Sequence, residues 1–480
     1  METSFIDLHI HPAMKPLGKS YNSKAGINNR NKNRKSSIWN YDPPTTVDKA
    51  LNIATSLTKF RQSDFTSLAK GGADIVVASL CGLEKSFVMT KLGTSLPGDI
   101  IGNLVTGLGK KRIDHVQGMD DYFTDLELEY DFYKQLDEHK VRVDGKWHRY
   151  KIVSSFNEIE ENRDPDIKTI FVILSIEGTH VFNTGLGMMG RTADPKEVLA
   201  NLDKVKQWDK KLFFVGLTHH FNNEMVGHAQ SLHGVVRKMI DQTENMNEGF
   251  NDLGWSLLHK LLDNTNGKRI LIDLKHMSVK ARGEYYRFLE TEHANEIIPL
   301  LVSHGAVNGF RSVNEKVEDD LFNFGKFQPD DINFFDDEIV RIAKSGGLFG
   351  IQFDERRLGS ETELKKTGPN LSRRKMLFHK SKLIWNQIQH MAEVLNRNNQ
   401  YAWGIQCVGT DYDGMVNPLN GFWTAEDMPL FDSYLEKHAY NFIASSASDN
   451  LKDYNKITAA DIVEKFMHGN AYNFLKKNFK

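Results

Sequence analysis

Cysteine is almost absent from this chain of 480 residues, which contains only Cys81 and Cys407. Two cysteines this far apart exclude a disulfide scaffold and argue against a zinc site built from cysteine ligands. Long apolar runs are missing too, since no stretch approaches the roughly 20 residues that cross a bilayer, and no signal peptide precedes the first apolar segment. We therefore expect a cytoplasmic protein with no membrane partner.

Net charge is also lacking. The chain has 61 Lys and Arg against 63 Asp and Glu, which gives a formal charge of −2. No global field recruits nucleic acid, and the basic, Asn-rich stretch at residues 24–37 has no interleaved aromatic residues, so it is interpreted as a solvated loop. With 40% hydrophobic and 26% charged residues, the composition is that of a globular protein with a large core.

Short apolar runs, bounded by turn residues, recur along the whole chain. Several of them are continuously apolar, which is typical of parallel strands buried on both faces. Helix-compatible segments at residues 195–211 and 336–346 precede two of these runs. Alternating strands and helices predict an α/β fold, and eight strands favour a (β/α)8 TIM-type barrel. The eight predicted strands are residues 4–10, 73–80, 170–176, 212–218, 269–274, 299–303, 347–353 and 404–410.

Three connections are too long to be simple crossovers, and we interpret them as insertions into a single barrel domain that spans residues 1–480. They cover residues 12–50, 84–150 and 354–398, and the second is expected to contain helices and loops. Each follows a predicted strand. All three are therefore expected on the barrel face where active sites lie.

Metal-type ligands and acid/base groups stand at the ends of six predicted strands. Any one of these has a structural explanation, such as a hydrogen-bonded histidine, a salt bridge from Glu177, or a turn before Gly414 formed by Asp411 or Asp413. Together they indicate one site, because strand ends converge at the mouth of a barrel. They are His9 and His11 after the first strand, Glu177 after the third, His219 after the fourth, His276 after the fifth, His304 after the sixth and Asp411 after the eighth.

The ligand types suggest zinc. A catalytic zinc ion takes three protein ligands and keeps one position open, and a bridging carboxylate allows two ions to share a water. Glu177 is the natural bridge, because it directly follows a long apolar strand where an unpaired charge would be costly.

The motifs resemble those of the metal-dependent membrane dipeptidases (renal dipeptidase type) of the amidohydrolase superfamily. The resemblance implies a (β/α)8 barrel with two divalent metal ions, expected to be zinc, that hydrolyses dipeptides with a free C-terminal carboxylate through a metal-bridging hydroxide. It also suggests a homodimer. The motifs occur in the order of the family and cover most of the chain: DLHIHP, SIEGTH, GLTHHFNN, NEGFNDLGWSLLHKLLDNTNGKRILIDLKHMS, LLVSHG, GTDYDG and HGNAYNFL.

The same resemblance implies a role for each site residue. His9 and His11 would bind one metal, Glu177 would bridge, and His276 and His304 would bind the other. His219 would contact the substrate and the developing oxyanion. Asp411 would shuttle protons.

Two departures from the family pattern are present. His11 stands where the family usually carries Asp, so a negative charge is lost, and Arg311, the candidate for the substrate carboxylate, follows His304 at a shorter spacing than in the family. Two alternatives therefore stay open. One is another amidohydrolase-type reaction, on a lactone or a cyclic amide, and the other is a noncatalytic metal-binding barrel.

Overall fold

The computed structural model describes residues 4–20, 34–56, 58–89, 107–232, 237–238, 240–316, 325–366 and 372–480. Parts of the three predicted insertions lie outside these ranges, including most of the basic stretch at residues 24–37. The interpretation of that stretch as a solvated loop therefore stays a prediction.

Parallel strands close a barrel at the centre of the molecule. The barrel order is β1-β2-β5-β6-β7-β8-β9-β10, and pairing of Asp7 in β1 with Val408 in β10 closes it. The predicted (β/α)8 architecture is confirmed, and each of the eight predicted strands is present. The strands are β1 (Phe5–Ile10), β2 (Ala73–Leu80), β3 (Val141–Val143), β4 (Lys146–Ile152), β5 (Ile167–Glu177), β6 (Leu212–Gly216), β7 (Leu271–Asp273), β8 (Leu301–Gly305), β9 (Leu348–Ile351) and β10 (Gln406–Val408).

Helices connect successive strands. The two predicted at residues 195–211 and 336–346 form over Pro195–Lys206 and Asp336–Lys344; the first begins where Asp194 accepts the N–H of Lys196. No helix in the described ranges is long and apolar enough to cross a membrane. The other α-helices are Met14–Ser20, Thr46–Thr55, Phe65–Gly71, Lys110–Gly118, Tyr122–Lys134, Phe156–Glu161, Asp252–Leu262, Val279–Glu292, Glu355–Leu358, Glu361–Lys365, Arg373–Arg397, Met428–Ile443, Ala459–Glu464 and Asn470–Asn478.

The second insertion differs from the helices and loops expected of it, because it also contains the β3–β4 hairpin. Asp144 and Gly145 form its two-residue turn, both with positive φ (47° and 81°), and β4 then pairs in parallel with the start of β5. An Asp-Gly pair between alternating apolar and polar residues is a strong hairpin signal, so the sequence did contain this information.

Backbone segments approach closely where β8, β9 and β10 meet. A Cβ atom at Gly350 would lie 2.0 Å from the carbonyl oxygen of Ser303, and one at Gly409 would lie 2.1 Å from the same atom. No side chain fits at either position. The two glycines therefore allow β8 to hold Ser303 and His304 at the level seen in the structure.

This close approach generates a stability prediction. Gly409→Ala is expected to lower the free energy of unfolding by about 1 to 3 kcal/mol, because its methyl group must displace the backbone of β8. Gly283→Ala is the matched control, since Gly283 lies in a helix with no atom within 4 Å of the added Cβ. It should be neutral or stabilising by up to about 1 kcal/mol. Denaturant titration measures both, and an unchanged midpoint for Gly409→Ala would contradict the proposed crowding.

Candidate metal centre

Five buried side chains converge at the mouth of the barrel, and we call them the ligand cluster. They come from the ends of four strands, β1, β5, β7 and β8, and each is at most 5% exposed. The cluster consists of His9, His11, Glu177, His276 and His304.

The Glu177 carboxylate lies at the centre of the ligand cluster. Its Oε1 atom is 3.2 Å from His276 Nε2 and 3.3 Å from His304 Nε2. Its Oε2 atom is 3.2 Å from His11 Nε2, while His9 Nε2 lies 3.5 Å from Oε1. Oε1 thus faces His9, His276 and His304 and Oε2 faces His11, so the two oxygens have different imidazole neighbours, as a carboxylate that bridges two cations requires.

The imidazoles of the ligand cluster lie close to one another. The Nε2 atoms of His9 and His11 are 3.0 Å apart, and those of His276 and His304 are 3.3 Å apart. At these distances one proton joins each pair in an N–H···N hydrogen bond. A divalent ion would replace that proton and accept the lone pairs of both rings. The donor set therefore fits divalent metal ions.

The protonation preferences agree with this interpretation. Burial lowers the pKa of His276 to about 3 and that of His304 well below its ordinary value, so both rings offer lone pairs. Burial also opposes charge on His11, but its hydrogen bonds with Asp411 and Glu177 outweigh burial and raise its pKa to about 10. At that position the surroundings favour a positive charge, which a metal ion could supply in place of the proton.

The hydroxyl of Ser303 fixes the orientation of two rings in the ligand cluster. Ser303 Oγ donates to Asp273 Oδ2 at 2.5 Å, so it can only accept from His9 Nδ1 (3.0 Å) and His304 Nδ1 (2.8 Å). Both rings then carry their proton on Nδ1. Their Nε2 lone pairs point at the centre, which is the tautomer that a metal ligand needs.

Unusual backbone conformations aim two of the predicted site residues. His276 and Asp411 have φ values of 66° and 60°, in the left-handed region that few non-glycine residues adopt. Such conformations are energetically costly and concentrate at functional sites.

Asp411 lies beside the ligand cluster without joining its centre. Its Oδ1 atom is 3.4 Å from His11 Nε2, and its Oδ2 atom accepts a 2.7 Å hydrogen bond from Gln352 Nε2. Gln352 Oε1 in turn accepts from Lys275 Nζ at 3.1 Å, which fixes the direction of the amide. Asp411 is thus held at one oxygen while the other faces the histidines.

Asp413, two residues later, has a different environment. It accepts from the buried ammonium of Lys15 at 2.8 Å, and from the hydroxyl and the N–H of Ser63 at 2.7 Å and 2.8 Å. These bonds anchor the segment around Ser63 to the loop after β10. Asp413 is therefore structural.

His219 contacts the ligand cluster from the loop after β6. Its Nε2 atom lies 3.5 Å from Glu177 Oε2, and its Nδ1 atom lies 2.7 Å from Glu84 Oε2. Burial would raise the pKa of Glu84, but His219 and His180 lower it to about 2. The ionised Glu84 orients His219. Burial would also raise the pKa of Glu177, but His219 and the other surrounding imidazoles hold that pKa well below its ordinary value.

Arg311 is not brought to this site. Its side chain is 47% exposed, pairs with Glu315, and lines a surface groove between the helices Val279–Glu292 and Asp336–Lys344. Arg311 does not line the cavity beside Glu177 and Asp411, and its contact with a substrate carboxylate stays a prediction.

Three other cationic side chains line the cavity beside Glu177 and Asp411: Lys275, Arg356 and Arg357. Arg356 is neutralised by Asp354, to which it donates from Nε at 2.9 Å and from Nη2 at 2.6 Å. Lys275 donates to Gln352 Oε1, and Arg357 Nη1 lies 3.8 Å from Asp330 Oδ2. Burial is the main cause that lowers the pKa of Lys275 to about 7, and the positive charge of Arg357 is the second cause. This pair forms the cationic part of the cavity.

The two strand ends without a predicted ligand, those of β2 and β9, also contribute. Cys81 and Glu84 follow β2, and Gln352 follows β9. Their position directly after a barrel strand was the available signal. Residue type alone did not single them out.

Comparisons with known proteins support the fold. No family model matches the sequence, and neither does any curated protein. Among solved structures, one described as a dipeptidase and metallopeptidase superposes with a TM-score of 0.51 at 13% identity, over 100% of this chain and 99% of that one. The chain shares the fold of a metallopeptidase. This agrees with the family that its motifs resemble.

Two further solved structures are similar at lower TM-scores. A metallopeptidase from Rhodobacter sphaeroides, liganded with a phosphinate mimic of the dipeptide L-Ala-D-Ala, has a TM-score of 0.49, 13% identity and 100% coverage of both chains. A probable dipeptidase from Pseudomonas aeruginosa has a TM-score of 0.48, 14% identity and coverage of 87% of this chain and 89% of that one.

The role of Ser303 can be tested by metal binding. Ser303→Ala removes the acceptor that fixes the tautomers of His9 and His304, and is expected to weaken metal affinity by about 10 to 100-fold. Ser175→Ala is the matched control, because Ser175 is a buried barrel serine whose hydroxyl has no hydrogen-bond partner in the described ranges. Competition with a zinc-binding dye measures both affinities. Equal affinities in the two variants would exclude the proposed role.

Proposed function

We propose that this protein is a metallo-dipeptidase that uses two divalent metal ions, with zinc as the expected metal, to hydrolyse dipeptides that have a free C-terminal carboxylate. The observation that supports this most is the geometry of Glu177, whose two oxygens face different histidines within 3.2 to 3.3 Å. When bound, two cations would lower the pKa of a shared water toward about 7 and polarise the peptide carbonyl.

Asp411 is the residue best placed to move protons. Gln352 holds its Oδ2 atom, while Oδ1 faces the histidines, so Oδ1 is the atom that would take a proton from the attacking water. The same atom would then deliver the proton to the departing amine. Glu84 lies beside Nδ1 of His219 and orients the ring, so that Nε2 lies near Glu177 Oε2. From that position the Nε2–H group would donate to the carbonyl oxygen of the substrate as that oxygen becomes negative.

The substrate carboxylate is assigned to Lys275 and Arg357 in place of Arg311. Two neighbouring buried cations repel each other, and an anion between them would relieve that repulsion. Both line the cavity that contains Glu177 and Asp411. A carboxylate bound there would lie beside the ligand cluster, as the substrate of a dipeptidase requires.

The function is tested with purified protein, metal analysis and a substrate panel. We expect close to two equivalents of divalent metal, loss of activity on chelation, recovery with zinc, and cleavage of free dipeptides in preference to amidated ones. Preferential turnover of lactones or cyclic amides would favour another amidohydrolase-type reaction. Metal binding without turnover of any of these substrates would indicate a noncatalytic barrel.

Asp411→Asn separates proton transfer from metal binding. Asparagine keeps the shape but carries no proton, so kcat should fall by about 10²-fold or more while metal content stays unchanged. Asp413→Asn is expected to behave in the opposite way, with a lower melting temperature and nearly normal kcat, because it breaks a buried ion pair with Lys15. Loss of metal in step with activity in Asp411→Asn would identify Asp411 as a ligand.

The carboxylate site is tested by pairing Lys275→Met with Arg311→Ala. Removing the buried ammonium should lower kcat/KM for free dipeptides by about 30-fold or more, which corresponds to roughly 2 kcal/mol, and should affect amidated dipeptides little. Arg311→Ala should leave kcat/KM unchanged, because Arg311 lies on the outer groove. Metal content is measured in parallel for both variants. The reverse pattern would restore the carboxylate role to Arg311.

A further inference from the structure

The thiol of Cys81 lies directly after β2 at the edge of the ligand cluster. It is 5% exposed, and its sulfur has no hydrogen-bond partner within the described ranges, although its backbone N–H donates to Glu129 Oε2 at 2.9 Å. One ligand atom each from Cys81, Glu177 and His219 lie within 4.8 Å of one another. A buried thiol without a partner thus faces a carboxylate and an imidazole.

We propose that Cys81 is a further metal ligand, whose thiolate joins Glu177 and His219 in holding a divalent cation in the same cavity. This inference rests on the proposed metal centre and adds to it a ligand that the motif resemblance does not contain. The chemistry is one of ligand exchange. A sulfur–metal bond forms, the S–H proton is released to solvent, and nothing is oxidised or reduced.

The distances are compatible with such a site. Bond lengths of about 2.0 to 2.3 Å in a tetrahedral zinc site place ligand atoms about 3.3 to 3.8 Å apart. The three atoms here lie within 4.8 Å of one another, so their separations need to shorten by at most about 1.0 to 1.5 Å.

Charge gives an independent reason. Glu177 is the only anion among the five residues of the ligand cluster, and two further carboxylates lie beside it, Asp411 at 3.4 Å from His11 Nε2 and Glu84 at 2.7 Å from His219 Nδ1. A thiolate from Cys81 would add a negative charge in direct contact with the cation. Its softness would favour zinc, cobalt or cadmium over magnesium.

The inference has a consequence for His219. A ring nitrogen that binds a cation cannot at the same moment donate a hydrogen bond to a substrate oxygen. The Cys81 ligand set therefore describes the protein before substrate binds.

Cobalt substitution tests the inference without measuring turnover. Cobalt(II) bound by a thiolate shows a near-ultraviolet charge-transfer band that oxygen and nitrogen ligands do not give. The chain has only two cysteines, so the band can be assigned by two variants. We expect it in the unmutated protein and in Cys407→Ala, and expect it to be lost in Cys81→Ala.

Cys407 is the matched control, since it is also fully buried but belongs to none of the candidate ligand groups among the described residues. Cys81→Ser keeps the side-chain size, and it replaces Cys81→Ala if that variant does not fold. It too should lose the band. Zinc should bind at least about 10-fold more weakly to both Cys81 variants than to Cys407→Ala.

The outcomes separate this inference from the proposed function. Cobalt-loaded protein that cleaves dipeptides but lacks the band would overturn the role of Cys81 alone. A band that persists in Cys81→Ser would do the same. Failure of the unmutated protein to take up any divalent cation would overturn both proposals.

Discussion

The buried carboxylate of Glu177 is the constraint on which the rest of the mouth of the barrel depends. An ionised carboxylate at 4% exposure is costly unless cations or hydrogen-bond donors surround it, and here the surrounding groups are imidazoles. The imidazoles pair with one another as well, since two Nε2 pairs lie 3.0 and 3.3 Å apart. The buried carboxylate is therefore surrounded by ring nitrogens that can offer it either protons or a shared cation. The residues around them, Ser303, Gln352 and Glu84, hold the groups in that geometry.

The barrel could be predicted from the sequence because its strands are short, continuously apolar runs that alternate with helical segments. This pattern can be recognised without knowing which strands pair with one another. The β3–β4 hairpin has a local turn signal in Asp144 and Gly145, but it lies inside a long connection, and the length of that connection predicts an insertion without predicting its secondary structure. Strand ends could be located to within three residues. This accuracy was enough to assign residues between positions 9 and 411 to one site from their places at the strand ends.

The sequence was less informative about the partners of those ligands. The side of the barrel on which Arg311 lies depends on the path of the loop after β8, and spacing along the chain does not encode that path. Ser303 and Gln352 are ordinary polar residues, whose roles depend on distances of 2.5 to 3.1 Å to groups far away in sequence. The scarcity of cysteine argues against a site made of cysteines. It carried no information about a single thiol within a mixed set of ligands.

The Ser303 hydroxyl has a thermodynamic consequence, because it contacts one histidine from each half of the ligand cluster. A hydroxyl has one proton and two lone pairs, and all three are used by Asp273, His9 and His304. Ordering one histidine for an ion therefore also orders the hydroxyl that the other histidine needs. These bonds are already formed in the structure, so both rings are arranged before any cation binds. Under the proposed function, little ordering entropy would oppose binding of either ion.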